Sequence, residues 1–161
     1  MNVRPGDPAD TEAICRVATA AWHAAYDDVL GRETVTERTD EWYDTATVRS
    51  YFGEPAVSVY VAGDPVVGYA FSRHGEAGDR LHLTAIYVHP DRWGEGIGSL
   101  LLDRVETEAR DLGVETVDLV VLAENSVGRG FYEGHGYERV RERGERVDDG
   151  VRELVYEKPI A

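Results

Sequence analysis

Apolar residues first recur at helical spacing: Ile14, Val17, Ala18, Ala21, Trp22 and Ala25 predict a helix running to about Tyr26. A short strand is expected before it, around Val3 and Arg4, with Asp7 or Asp10 as N-cap and Pro8 in the first turn. Residues 33 to 53 are polar with interspersed aromatics, which predicts one or two shorter helices that turn Trp42, Tyr43, Tyr51 and Phe52 inward. The period then changes. The stretch AVSVYVAGDPVVGYAFSRHG reads as two strands around a turn at residues 63 to 65, and RLHLTAIYVHP as a third, ended by Pro90. Ile97, Leu101, Val105, Ala109 and Leu112 form the next helical stripe, with Gly113 at the C-cap. ETVDLVVL has the nearly continuous apolar character of a buried strand. A helix from Ser126 to His135 and closing strands over 136–143 and 151–158 complete the order. No repeat, linker or low-complexity segment interrupts it.

The chain has 161 residues, which predicts one domain over 1–161. Hydrophobic residues make up 42% and charged residues 30%, the balance of a soluble globular chain. Cys15 is the single cysteine, so no internal disulfide can form, and its apolar neighbours give it the setting of a small core residue. MNVRPGDPADTE is polar and broken by two prolines, unlike a secretory leader, and no run is long enough to span a bilayer. A cytoplasmic location is therefore expected.

Charge changes the picture of partners. There are 31 acidic residues against 17 basic ones, Lys158 is the only lysine, and the formal net charge is -14. Such an excess disfavours nucleic acid and anionic membranes, because phosphate binding needs a basic footprint. The scarcity of lysine resembles proteins of salt-in halophiles, where the Debye length falls to roughly 3 Å at about 1 M salt. An ordinary acidic mesophilic protein is the alternative.

The stretch HPDRWGEGIGSLLL, residues 89 to 102, sets a glycine-rich turn between a strand and a helix. Free N–H groups, a helix dipole and close main-chain approach are the physical recipe for holding phosphate. The spacing of Gly94, Gly96 and Gly98 does not match G-x-G-x-x-G, and no G-K-[ST] follows, so neither the dinucleotide fingerprint nor the P-loop fits.

AIYVHPDRWGEGIGSLLL instead resembles the acetyl-CoA-binding motif of the GNAT superfamily of N-acetyltransferases, Q/R-x-x-G-x-G/A after a strand, with its glycines on Gly96 and Gly98. The later LAENSVGRGFYEGHGYE resembles that family's second motif, and the resemblance extends over nearly the whole chain. It implies an α+β, three-layer α/β/α fold with a central mixed, mostly antiparallel sheet. It also implies acetyl-CoA as cosubstrate, with Trp93, Gly94, Glu95, Gly96, Ile97, Gly98 and Ser99 around its pyrophosphate. Ile86, Tyr87 and Val88 at the preceding strand end would pair with the pantetheine arm, and Asn125 would bond its amides. Trp93 departs from the family by standing at the Gln/Arg position, which weakens a side-chain contact but not a main-chain cradle.

Acetylation of an amine requires loss of a proton from a group of pKa about 10, and a proton for the departing thiolate. The resemblance assigns the second task to Tyr132, since a phenol near pKa 10 is protonated at neutral pH; helix packing of Phe131 and Tyr132 is the alternative. A helix N-cap is the alternative for Asn125, although Ser126 could cap instead. His82 is the candidate base, on the strand before the cradle, where many relatives carry a Glu thought to act through water. A histidine, with ordinary pKa near 6.5, can accept a proton at neutral pH. Regular alternation places His82, Thr84, Ile86 and Val88 on one face, and a half-buried structural histidine is the competing reading.

Other constellations carry less. His82 and His89 point to opposite faces unless a bulge intervenes, so no metal centre is expected. His23 and Tyr26 lie three apart on one helix, a spacing compatible with facing the substrate, with packing as the safer reading. No G-x-S-x-G is present, and no convincing nucleophile suggests an acyl-enzyme. ERVRERGERVDDG reads as a solvated strand end and loop, with a substrate role as the alternative. The expected function is acetyl transfer to a primary amine of a small molecule or peptide by direct attack in a ternary complex. A CoA-binding sensor without turnover is the alternative from another class, and a homodimer is compatible with either. Residues 20 to 53 and 143 to 151, where acceptor specificity is expected, match no motif.

Overall fold

The computed structural model describes residues 1–75, 78–143 and 152–160. The elements, in chain order, are β1 (Val3–Pro5), α1 (Thr11–Leu30), α2 (Arg32–Trp42), α3 (Thr45–Tyr51), β2 (Val57–Ala62), β3 (Gly68–His74), β4 (Arg80–Val88), α4 (Ile97–Leu112), β5 (Thr116–Leu122), α5 (Ser126–Gly134), β6 (Glu138–Arg143) and β7 (Glu153–Pro159). Short 3-10 turns at Pro8–Asp10 and Pro90–Arg92 precede α1 and the glycine loop.

The seven strands form one sheet in the order β1-β2-β3-β4-β5-β7-β6. The β4–β5 pair is parallel and the other adjacent pairs are antiparallel, so the sheet is mixed and mostly antiparallel, as the sequence led us to expect. Ile97, Leu101, Leu102, Val105 and Ala109 of α4 pack on one face, joined by Phe131 and Tyr132 of α5. On the other face Ile14, Val17 and Ala18 of α1 and Val48 of α3 pack against Val59, Val61, Tyr69 and Phe71. A third cluster, Trp22, Tyr26, Leu30, Val35 and Leu122, extends that second layer through α2. Helices thus cover both faces of the sheet.

Local chemistry sets the element ends. Asp7, not Asp10, caps the first turn by accepting from Ala9 N–H at 2.8 Å, and it closes a capping box with Asp10. Asp10 instead receives two hydrogen bonds from Arg4 at 2.8 and 2.9 Å. Helix α1 continues past Tyr26 to Leu30, which falls one turn on and remains buried. In α4 the expected stripe holds as far as Ala109. Leu112 is exposed, while Leu102 and Glu106 are buried in its place.

The feature that most shapes the site is in β4. Phe71 pairs with Ala85 and Ser72 with Leu83, so Thr84 is an extra residue and the ladder is bulged there. A one-residue insertion inverts the alternation of everything beyond it. Leu81 and Leu83 therefore share the α4 face with Ile86 and Val88, whereas Ala85 and Tyr87 face α1 and α3. This corrects the expectation that His82, Thr84, Ile86 and Val88 lie on one face: His82 lies on the side opposite Ile86 and Val88. Parallel pairing with β5 also stops at Leu83–Leu119, just before the bulge, and leaves the β5-facing edge of Thr84–Val88 unpaired.

Candidate active site

Two of the three loop glycines owe their identity to backbone conformation. Gly94 and Gly96 have φ of 83° and 82°, the left-handed region that other residues rarely adopt, and a Cβ on either would point into open space. Gly98 is different: it lies in the first turn of α4, where a Cβ would meet the Phe131 ring at 3.3 Å. Gly96 is the N-cap of α4 and offers no side chain, so the helix begins without a side-chain cap. The first-turn N–H groups of Ile97, Gly98 and Ser99 therefore face outward at the positive end of the helix dipole. The Glu95 carboxylate is engaged from the side by Arg92 Nε at 2.9 and 3.0 Å, which neutralises the acid that stands between Gly94 and Gly96. The Trp93 indole N–H donates to the Val88 carbonyl at 2.8 Å and ties the loop back to the end of β4.

This loop opens into a cavity of about 520 Å³ that follows the gap between β4 and β5. Ile86, Tyr87, Val88, Trp93, Gly94, Gly96, Ile97, Gly98, Ser99, Asn125 and Tyr132 all line it, and Glu95 and His82 do not. Most sequence-chosen residues are thus brought to one place. Burial pushes the Tyr132 phenol far above its ordinary range, with Tyr26 adding to the shift. Asn125 is the N-cap of α5: its Oδ1 accepts from Gly128 N–H at 2.8 Å, and its Nδ2 donates to the Tyr26 hydroxyl at 2.9 Å. Ser126, the other capping candidate, is inside the helix. The Asn125 amide keeps one hydrogen and one lone pair for a further partner. Ser99 is tied to α5 through His135: Nδ1 of the ring donates to the Phe131 carbonyl at 2.8 Å, since a carbonyl can only accept, and Nε2 lies 3.0 Å from the Ser99 hydroxyl.

His82 sits apart, on the wall of a second cavity of about 220 Å³ on the α1 side of the sheet. Its Nδ1 lies 2.6 Å from Asp118 Oδ1 on β5, and Arg80 bridges Asp118 and Glu157 beside it. Burial raises the Asp118 carboxyl, but hydrogen bonds and charge from His82 and Arg80 outweigh it and hold the group below the usual carboxylate range. Tyr26, Thr84, Tyr87, Val120 and Val121 line both cavities, which meet where β4 and β5 part.

Several contributors escape inspection of the sequence. Tyr26, for which the sequence leaves packing and a substrate-facing role both open, lines both cavities and holds Asn125, whereas its neighbour His23 pairs with Asp27 at 2.6 Å. A Cβ at Gly128 would lie 2.6 Å from Asn125 Nδ2, so this glycine makes room for the cap. Glycines at 128 and 130 inside a helical pattern were the available signal. Glu153 lines the smaller cavity and had no signal at all. Cys15 is half-buried, and burial raises its thiol above its ordinary value. The loop at 144–151, expected to be solvated and to bear on acceptor choice, lies outside the described residues. Among the described residues no cluster of three or more His, Cys, Asp or Glu side chains could hold a metal ion, and no helix is long and apolar enough to cross a membrane.

Known proteins match this arrangement. The profile of the acetyltransferase (GNAT) family matches residues 17–137. The L-methionine sulfoximine/L-methionine sulfone acetyltransferase of Salmonella typhimurium is 30% identical over 142 residues, covering 85% of this chain and 80% of the relative. The L-amino acid N-acyltransferase MnaT of Escherichia coli is 26% identical over 142 residues, covering 85% and 79%. In fold, the chain is similar to a PaiA N-acetyltransferase from Thermoplasma acidophilum solved in complex with coenzyme A, with a TM-score of 0.87 at 20% identity over 98% of each chain.

Proposed function

The chain belongs to the acetyltransferase (GNAT) family, and from that membership we propose that it moves the acetyl group of acetyl-CoA onto a primary amine of a small molecule or peptide, by direct attack in a ternary complex. The observation that carries this reading is the convergence, in one cavity, of the uncapped start of α4, the free edge of Thr84–Val88 and Tyr132.

Acetyl-CoA supplies the acetyl group as a reactive thioester. Main-chain N–H groups from Gly94 to Ser99 hold the pyrophosphate, favoured by the helix dipole and by the local neutrality that Arg92 gives Glu95. Ile86, Tyr87 and Val88 pair with the pantetheine arm as an added strand would, and the spare valences of Asn125 reach its amides. Tyr132 keeps its proton at working pH because burial holds the phenol neutral. The ordinary thiol pKa of about 8.5 lies well below that of this phenol, so Tyr132 acts by sharing its proton with the departing sulfur as charge develops there. Asp118 accepts from Nδ1–H of His82 and leaves Nε2 as the lone pair that takes the proton of the acceptor ammonium.

The test is release of free thiol from acetyl-CoA across an amine panel, with the acetylated amine identified by mass. Tight acetyl-CoA binding with no thiol release from any amine would leave a CoA-binding module instead. The same reading treats 1–161 as one domain acting in the cytoplasm, alone or as a homodimer. It takes the acid-rich, lysine-poor composition as adaptation to high salt. Thermal stability should then rise from about 0.1 M to above about 1 M KCl as self-repulsion is screened, and a fall would overturn the salt adaptation.

A further inference from the structure

The smaller cavity has a composition that proton transfer by His82 does not explain. Its walls are aromatic: the Trp22 ring stands 5.5 Å from that of Trp42 at 72° and 6.0 Å from that of Tyr87 at 46°, with Tyr43 and Tyr51 completing the enclosure. Glu153, the first residue of β7, lies among them and is 4% exposed. Its Oε1 has no hydrogen-bond partner among the described residues, and neither does the buried Trp22 Nε1. Arg143 Nε approaches the same Oε1 at 3.5 Å, but that side chain stays 39% exposed and does not line the cavity. Among the described residues no lysine or arginine lines it at all.

A buried carboxylate oxygen without a hydrogen bond costs free energy and calls for a partner. Aromatic faces attract cations, and tryptophan does so most strongly. A compact organic cation in the cavity has rings around its carbon shell and the Glu153 carboxylate, approached at Oε1 by Arg143 alone among the described residues, as a counter-charge on the wall. The volume, about 220 Å³, is roughly seven waters at about 30 Å³ each, enough for a short alkylammonium. A carboxylate beside the reacting amine would instead face Glu153 in a poorly solvated space, where like charges repel strongly. Position fits as well, because this cavity meets the larger one at Thr84 and Val121, across the sheet from the glycine loop.

We propose that the cavity enclosed by Trp22, Trp42, Tyr43, Tyr87 and Glu153 is the acceptor subsite, and that it selects compact cationic amines lacking a carboxylate next to the reacting nitrogen. This rests on the acetyl-transfer reading, and it separates the chain from relatives whose names specify amino-acid acceptors.

The test compares 1,4-diaminobutane, methionine amide and methionine as acceptors in the thiol-release assay. Methionine amide and the diamine should exceed methionine in kcat/KM by about tenfold or more, and Glu153→Gln should raise their KM by about tenfold while KM for acetyl-CoA stays within about twofold. Methionine equal to its amide, or an unchanged amine KM in Glu153→Gln, overturns the proposal. A second measurement does not depend on that variant folding. Tetramethylammonium titrated into the native protein at constant ionic strength should change tryptophan fluorescence saturably and be displaced by 1,4-diaminobutane, whereas tert-butanol should not. No saturable response overturns the cation site even if thiol release is robust. A saturable response with no thiol release from any amine overturns the acetyl-transfer reading instead.

Discussion

The two cavities are made of different material. The larger one takes one wall from residues nearly consecutive in sequence, the end of β4 and the loop into α4, with two positive-φ glycines shaping it, and the rest from α1, β5 and α5. The smaller one is made of side chains brought together from α1, α2, α3, β3, β4, β5 and β7. A phosphate cradle needs amides in a fixed local conformation, so a dozen neighbouring residues can encode it. An aromatic enclosure needs only that rings arrive from anywhere in the fold, and no short pattern records that. The first therefore ties the chain to its family, while the second is free to differ between members.

Substitutions can break this contrast in graded steps. The largest effect is expected from Gly96→Glu, which forces a side chain into the left-handed region and sets a carboxylate in the proposed phosphate cradle. Acetyl-CoA affinity by calorimetry should fall by about a hundredfold or more, and retained affinity would remove the cradle assignment. Next, Tyr132→Phe should lower kcat by about a hundredfold with KM for acetyl-CoA within about threefold, as expected of a group that acts on the departing sulfur. The native pH profile should show no alkaline limb from this phenol, because its folded pKa is raised out of the working range. An equal loss in binding and turnover would mean that Tyr132 only packs.

A smaller effect should follow Gly128→Ala, whose Cβ displaces the Asn125 amide from the start of α5. About 1 kcal/mol of stability, read from denaturant melts, and a few-fold loss of acetyl-CoA affinity are expected, with tetramethylammonium binding unchanged. The smallest is Arg4→Gln, remote from both cavities. The hydrogen bonds from Arg4 hold the Asp10 carboxyl below its ordinary value, against burial. Asp10 contributes stability that is present above its unfolded pKa of about 3.9 and is lost as pH falls through the lower folded value. The variant should therefore be destabilised by about 1 kcal/mol or less at pH 7, the difference should vanish at low pH, and neither ligand affinity should move.

How much was legible follows the same division. The element order could be read because period 3.6 and period 2 are local, and the glycine loop because its spacing is local too. Leu30 was missed because Asp27 and Asp28 interrupt the apolar stripe of α1 just before it returns to the core. The face of His82 was misassigned because an extra residue in a ladder leaves no mark on the strand that contains it: LHLTAIYV alternates as well with Thr84 bulged as without. Glu153 was invisible because an acid in a strand of an acid-rich chain reads as solvent-facing. Its burial depends on β6 and β5 flanking it and on rings supplied from more than a hundred residues away.

The bulge at Thr84 has one more consequence. In a crystal, a row of atoms inserted part-way creates a dislocation, and the lattice opens at its tip. Here the extra residue does the same to the sheet: pairing with β5 is lost beyond Leu83, and both cavities meet at that defect. Deleting Thr84 would heal the lattice, let β4 and β5 zip onward, and turn the cleft into continuous sheet. The opening between the two cavities is thus a topological flaw one residue wide.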